Sequence, residues 1–188
     1  MAPVFAATEL RVVVTDSAGK PVPEALVYLT SAAASRAAKP LQNAAIAQKN
    51  KTFLPDVLVV TTGTPVAFPN EDTVRHHVYS FSSAKKFEIK LYVGTPTQPV
   101  VFDTPGIVVL GCNIHDHMVA WVVVVDTPYH GRTDTSGTVT LPALPADNYQ
   151  LTVWHKGLPV DHAGHTQAIR LDTSPSTLDV MLSDLKLP

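Results

Sequence analysis

Short β-branched runs separated by tight turn signals, with almost no helical periodicity, confine this chain to an all-β architecture. Residues 10–15 (Leu-Arg-Val-Val-Val-Thr) form the first run, and 25–30 form the second after the turn Asp16-Ser17-Ala18-Gly19-Lys20. The Ala-rich stretch 31–40 is broken by Pro40 and reads as a connector with room for one helical turn. A new series then covers 44–48, 57–62, 65–69, 77–81, 87–92, 99–102, 107–112 and 119–126. Thr62-Gly63-Thr64-Pro65, Gly94-Thr95-Pro96 and Asp103-Thr104-Pro105-Gly106 punctuate it. Short strands at this spacing predict a β-sandwich with Greek-key connections. Its last member, Ala120-Trp121-Val122-Val123-Val124-Val125, is apolar on both faces and should be covered on both. Four more runs follow at 138–141, 149–154, 166–171 and 178–182.

The two ends share a pattern. One reads strand, Asp16-x-x-Gly19-Lys20-Pro21-Val22, strand; the other reads Thr133-Asp134-x-x-Gly137, strand, a Leu-Pro corner, then Tyr149-x-Leu151. Together they resemble the small sandwich of carboxypeptidase regulatory-like (transthyretin-like) modules, in which the two signatures are consecutive. Here about a hundred residues intervene, so the resemblance implies one sandwich inserted into another, as exposed turns tolerate. The expected domains are residues 42–126 and an outer module of 8–34 plus 127–188.

With 188 residues, the chain is long enough to bury a core without disulfides. A formal net charge of −2 gives no field that would draw nucleic acid or anionic lipid. No run approaches the ~20 apolar residues of a membrane span. The start, Met1-Ala2-Pro3-Val4-Phe5-Ala6-Ala7, lacks a full signal sequence and fits the trimmed end of an export signal.

Chemistry concentrates in one loop. Cys112 is the single cysteine and stands in Gly111-Cys112-Asn113-Ile114-His115-Asp116-His117-Met118. A thiolate, an imidazole three residues on and a thioether three further on are soft or borderline metal ligands. Upstream, Phe68-Pro69-Asn70-Glu71-Asp72-Thr73-Val74-Arg75-His76-His77-Val78 can supply a second imidazole. One Cys, two His and a weak axial Met are the ligand set of a mononuclear electron-transfer copper site.

Residues of about 42–126 also resemble the cupredoxins. Phe68-x-Asn70 followed by His76-x-Val78 is similar to the strand pair that delivers their first imidazole. Gly111-Cys112-x-x-His115-x-x-Met118 is similar to the loop that delivers the other three ligands, in the short form found in amicyanins. The whole chain further resembles bacterial proteins labelled methylamine utilisation protein. The resemblance implies one copper held by His76, Cys112, His115 and Met118, a redox partner protein and a monomeric, periplasmic carrier. His115 would lie nearest the surface, rimmed by Pro69, Met118, Val119 and Ala120. His77 stands where cupredoxins often carry the Asn that ties their ligand loops together, which puts that tie in doubt. Asn70, His77 and His117 are outer-sphere or alternative ligands; strand alternation sends His76 and His77 to opposite faces. Glu71, Asp72 and Arg75 read as solvated loop charges. His130, His155, His162 and His165 read as exposed polar residues, with an accessory metal site as the alternative.

A non-enzymatic electron carrier is the leading function. A copper carrier or store and a non-catalytic binding module are the alternatives. Multicopper oxidases and copper nitrite reductases need a His beside the cysteine, where this chain has Gly111 and Asn113. No Gly-x-Ser-x-Gly, Walker loop or His-Glu-x-x-His run offers another reaction.

Overall fold

The computed structural model describes residues 8–186. The start read as a trimmed export signal lies outside them. In chain order the strands are β1 (Thr8–Asp16), β2 (Leu26–Thr30), β3 (Ala44–Ala45), β4 (Ala47–Lys49), β5 (Thr52–Leu54), β6 (Val57–Thr61), β7 (Thr64–Ala67), β8 (His76–Ser82) and β9 (Lys85–Tyr92). They continue as β10 (Val100–Phe102), β11 (Gly106–Gly111), β12 (Val119–Val125), β13 (His130–Arg132), β14 (Thr138–Leu144), β15 (Asp147–Trp154), β16 (His165–Leu171) and β17 (Ser176–Leu182). One six-residue helix, α1 (Ala32–Ala37), forms in the Ala-rich connector. Among the described residues no helix is long and apolar enough to cross a membrane.

The chain divides into two compact units, one contiguous over Ala38–Asp126 and one built from the segments up to Ala37 and from Thr127 onward. The discontinuous unit has a three-stranded sheet, β14-β1-β17, and a four-stranded sheet, β13-β2-β15-β16. Alternation along β1 turns Leu10, Val12 and Val14 into a common core with Val27 and Leu29 of β2 and Leu151 and Val153 of β15. The paired sequence signatures have a physical basis. Asp16 Oδ1 accepts from the Ala18 and Lys20 amides, and Asp134 Oδ1 accepts from those of Ser136 and Thr138. Both are Asx-type turns. Gly137 has φ 72°, and a Cβ there would meet the Val14 carbonyl at 2.5 Å. Only glycine fits where this turn crosses β1.

The contiguous unit has a five-stranded sheet, β6-β12-β11-β8-β9, a three-stranded sheet, β10-β7-β3, and the β4–β5 hairpin. Val60, Val78, Val108, Leu110, Val122 and Val124 from the first meet Val66 and Phe102 from the second in one core. The nearly all-apolar β12 lies between parallel β6 and antiparallel β11, and five of its seven residues are buried, which accounts for its composition. Each fully buried valine contributes about 1.5–3 kcal/mol. The structure adds β5 and β13, each three residues long, to the strands expected from sequence, and splits the 44–48 run into β3 and β4.

Candidate metal centre

Strand β8 opens at His76, and β11 closes at Gly111, the residue before Cys112. The two strands pair, with Tyr79 opposite Gly111, so one end of the sheet brings both segments together. His76 is fully buried and Cys112 is 3 % exposed. His76 Nδ1 lies 3.8 Å from Cys112 Sγ, and His115 Nδ1 lies 4.0 Å from it. The imidazole centroids are 5.1 Å apart. Among the described residues this trio is the one group of His, Cys, Asp or Glu able to hold a metal ion.

The donor set fits such an ion. Donors about 2.0–2.3 Å from a tetrahedrally bound metal lie roughly 3.6 Å from one another. The two N···S separations are close to that value before any metal draws the ligands in. The His76 Nε2 sits 2.7 Å from Asp72 Oδ2. An ionised carboxylate only accepts, so Nε2 carries the proton and Nδ1 presents its lone pair to the thiol. Burial, then the charges of His76, Lys51 and His117, hold the His115 pKa below the usual imidazole value, with Asp72 opposing. A neutral imidazole is the form that binds metal.

Met118 is 1 % exposed, belongs to the same core as Cys112, and donates its amide to the His115 carbonyl at 3.0 Å. The expected rim therefore changes. Met118 and Ala120 are buried, and the exposed apolar residues of the loop are Ile114 and Val119. His117 instead reaches the Lys51 carbonyl, with Nε2 3.1 Å from its oxygen. His77 is 8 % exposed, and its Nε2 lies 3.0 Å from Glu88 Oε1 without hydrogen-bond alignment.

Asn70 is buried, and each side-chain group is engaged. Its Nδ2 donates to the Val74 and Tyr92 carbonyls, and its Oδ1 accepts from the Asp72 amide. It shapes the segment leading to His76. Asp72 is a correction to the sequence reading: with its side chain 13 % exposed and bonded to His76, it is no solvated charge. Glu71 and Arg75 are exposed, as read.

Sequence reasoning missed Gln48 and Tyr92. Gln48 is fully buried, and the Tyr92 hydroxyl lies 2.8 Å from its Oε1 and 2.7 Å from the Phe68 carbonyl. Burial pushes the Tyr92 phenol up to about 12, with the Gln48 bond opposing and Cys112 adding to the rise. A glutamine at the last position of the 44–48 run gives no signal of this role.

Among the described residues the other histidines form no second cluster of three or more metal-ligating groups. His155 is buried, not exposed, and its Nδ1 accepts from the Gly157 amide; His162 Nδ1 accepts from the Gly164 amide. Both lone pairs are occupied.

No family model matches the chain, and no curated protein matches it. Solved structures that align with it include a purple cupredoxin from Nitrosopumilus maritimus, at 23% identity over 44% of this chain and 100% of that one, with a TM-score of 0.39. A Cu-containing nitrite reductase (NirK) from Thermus scotoductus SA-01 aligns at 24% identity over 61% of this chain and 28% of that one, TM-score 0.42. A Cu(I) amicyanin mutant aligns at 17% identity over 53% of this chain and 98% of that one, TM-score 0.40.

Proposed function

We propose that the contiguous unit is a cupredoxin-type domain that binds one copper ion and carries single electrons to and from a partner protein after export to the periplasm. The observation that supports it most is the meeting of two imidazole Nδ1 atoms with one buried thiol at 3.8 and 4.0 Å. Cys112, His76 and His115 supply the three strong ligands in this reading, and Met118 the weak axial one. Copper bound there supplies a one-electron couple, with thiolate and thioether favouring Cu(I) and imidazole serving both states.

The chain's own part is to hold the ligands and keep water out. Cys112 follows the end of β11 and belongs to the same buried apolar cluster as Phe68, Val78 and Ala120. Burial of this kind limits rearrangement between oxidation states and sets the potential. His115 is only half-buried, which suits it as the ligand nearest the docking surface. A brief encounter over a small rim of Ile114 and Val119 fits the low end of interface sizes. With Gly111 and Asn113 flanking the cysteine, no adjacent imidazole leads to a second copper.

Titration of the full chain with Cu(II) tests the reading. Intense visible thiolate-to-copper absorption at one equivalent is expected, and Cys112→Ser abolishes it. Full metal loading without that absorption refutes electron transfer and favours copper carriage.

A further inference from the structure

The three ligands Cys112, His115 and Met118 share one loop, while His76 follows another, so the two segments must be held in register. The β4–β5 hairpin is built to do it. Lys49 pairs with Thr52, which leaves a two-residue loop of Asn50 and Lys51. Both have positive φ, 52° and 55°. Two left-handed residues make the tightest hairpin turn, but lysine there costs about 1–2 kcal/mol. Such strain persists where surrounding contacts over-determine it.

Those contacts all lead to the candidate centre. The Asn50 amide donates to Asp72 Oδ1 at 2.7 Å, and the Lys51 amide donates to Asp72 Oδ2 at 2.9 Å. Asp72 Oδ2 also accepts the His76 Nε2 proton at 2.7 Å. The Lys51 carbonyl accepts the His117 Nε2 proton at 3.1 Å. One turn thus grips the segment before His76 through its amides and the Cys112–Met118 loop through its carbonyl.

We propose that Asp72 and the Asn50–Lys51 turn are the positioning device of this centre. Asp72 fixes the tautomer and ring plane of His76, and its charge favours the more highly charged metal ion. The Lys51 carbonyl fixes the second loop. This rests on the copper reading for its redox consequences, though not for its geometry. A carboxylate behind a ligand histidine orients the ring and raises its basicity, and losing such a partner lowers metal affinity about 10–100-fold.

The test uses the full chain, with and without copper. In the apoprotein, ¹⁵N NMR is expected to show His76 as the single Nε2–H tautomer, mixed in Asp72→Ala and retained in Asp72→Asn, where the side-chain oxygen still accepts. In the copper form, both variants are expected to have a higher reduction potential, and Asp72→Ala about 10–100-fold weaker Cu(II) binding. Lys51→Gly keeps every backbone group of the turn, so the His76 tautomer is expected to stay single, while loss of the Lys51 charge that acts on His115 is expected to lower the potential. An unchanged His76 tautomer in Asp72→Ala overturns the proposal, as does an unchanged potential in both Asp72 variants. A wild-type chain that shows no thiolate-to-copper absorption counts against the copper reading alone, because the apoprotein tautomer still decides the positioning role.

Discussion

Gly111→Ala probes the packing that delivers Cys112. Gly111 ends β11 between Tyr79 of β8 and Val119 of β12. A methyl at Gly111 would lie 2.8 Å from Cζ and from the hydroxyl oxygen of Tyr79, and 3.2 Å from Cε1. Comfortable carbon contacts need about 3.5–4.0 Å, so the ring must retreat by roughly 1 Å. It is flanked on both sides, with His77 at 5.7 Å and Phe81 at 5.3 Å between ring centroids, so it cannot slide along the strand. Overpacking of this kind costs about 1–3 kcal/mol. The loss of chain freedom in the unfolded state returns about 0.4–1 kcal/mol. The net loss is therefore about 1 kcal/mol, with an upper end near 2.5. Urea unfolding of the apoprotein measures it, followed by two probes because the chain has two units. In a Tyr79→Ala background the clash is gone, and Gly111→Ala should be neutral or stabilising. Equal costs in both backgrounds would refute the reasoning.

Other perturbations test the neighbouring contacts. Burial raises the Asp72 pKa, but the Lys51, His76 and Asn50 hydrogen bonds outweigh it and hold the carboxyl below its ordinary 3.8. Its contribution to stability is therefore present above that value and lost as pH falls through the native one; apoprotein stability should drop below about pH 4, and less so in Asp72→Asn. Tyr92→Phe leaves the buried Gln48 Oε1 without its donor, at about 1–3 kcal/mol, and should remove one phenol that ionises near pH 12 in an ultraviolet titration. In the discontinuous unit, the Thr133 hydroxyl donates to the Val22 carbonyl and accepts from the Ala25 amide. Thr133→Val should destabilise by about 1–3 kcal/mol for each group left unpaired, read by thermal unfolding.

What could be read from the sequence was local. Alternation in β1 and the apolar run of β12 mark strands because the core selects one face or both. The Asx-Gly turns carry their own hydrogen-bonding logic, so they were legible as well. Two-residue β3, and β5 and β13 with three residues each, are too short to show a period. For the same reason the 44–48 run hid a break at Ile46 between two different sheets. At the centre, the spacing of Cys112, His115 and Met118 announces itself, because the residue types are rare and close together. Asp72 does not, because its role depends on amides from Asn50 and Lys51, some twenty residues earlier. A carboxylate followed four residues later by histidine is common on exposed loops. His77 follows the alternation read from the sequence: its ring packs against Tyr79, which packs against Phe81, while His76, Val78 and Ser80 take the buried side.

The split layout of the outer unit sets a timetable for the nascent chain. β1 pairs with β14 and β17, and Leu10 finds its partner Ser176 only after the whole of the intervening chain has been made. At about 5–20 residues per second that wait is roughly ten to thirty seconds. Every strand partner of Ala38–Asp126 lies within that span, so this unit can close first, while β1 and β2 remain unpaired edges open to wrong partners. A ribosome that stalls once Asp126 has cleared its exit tunnel would thus present a complete Ala38–Asp126 unit tethered to two orphan strands.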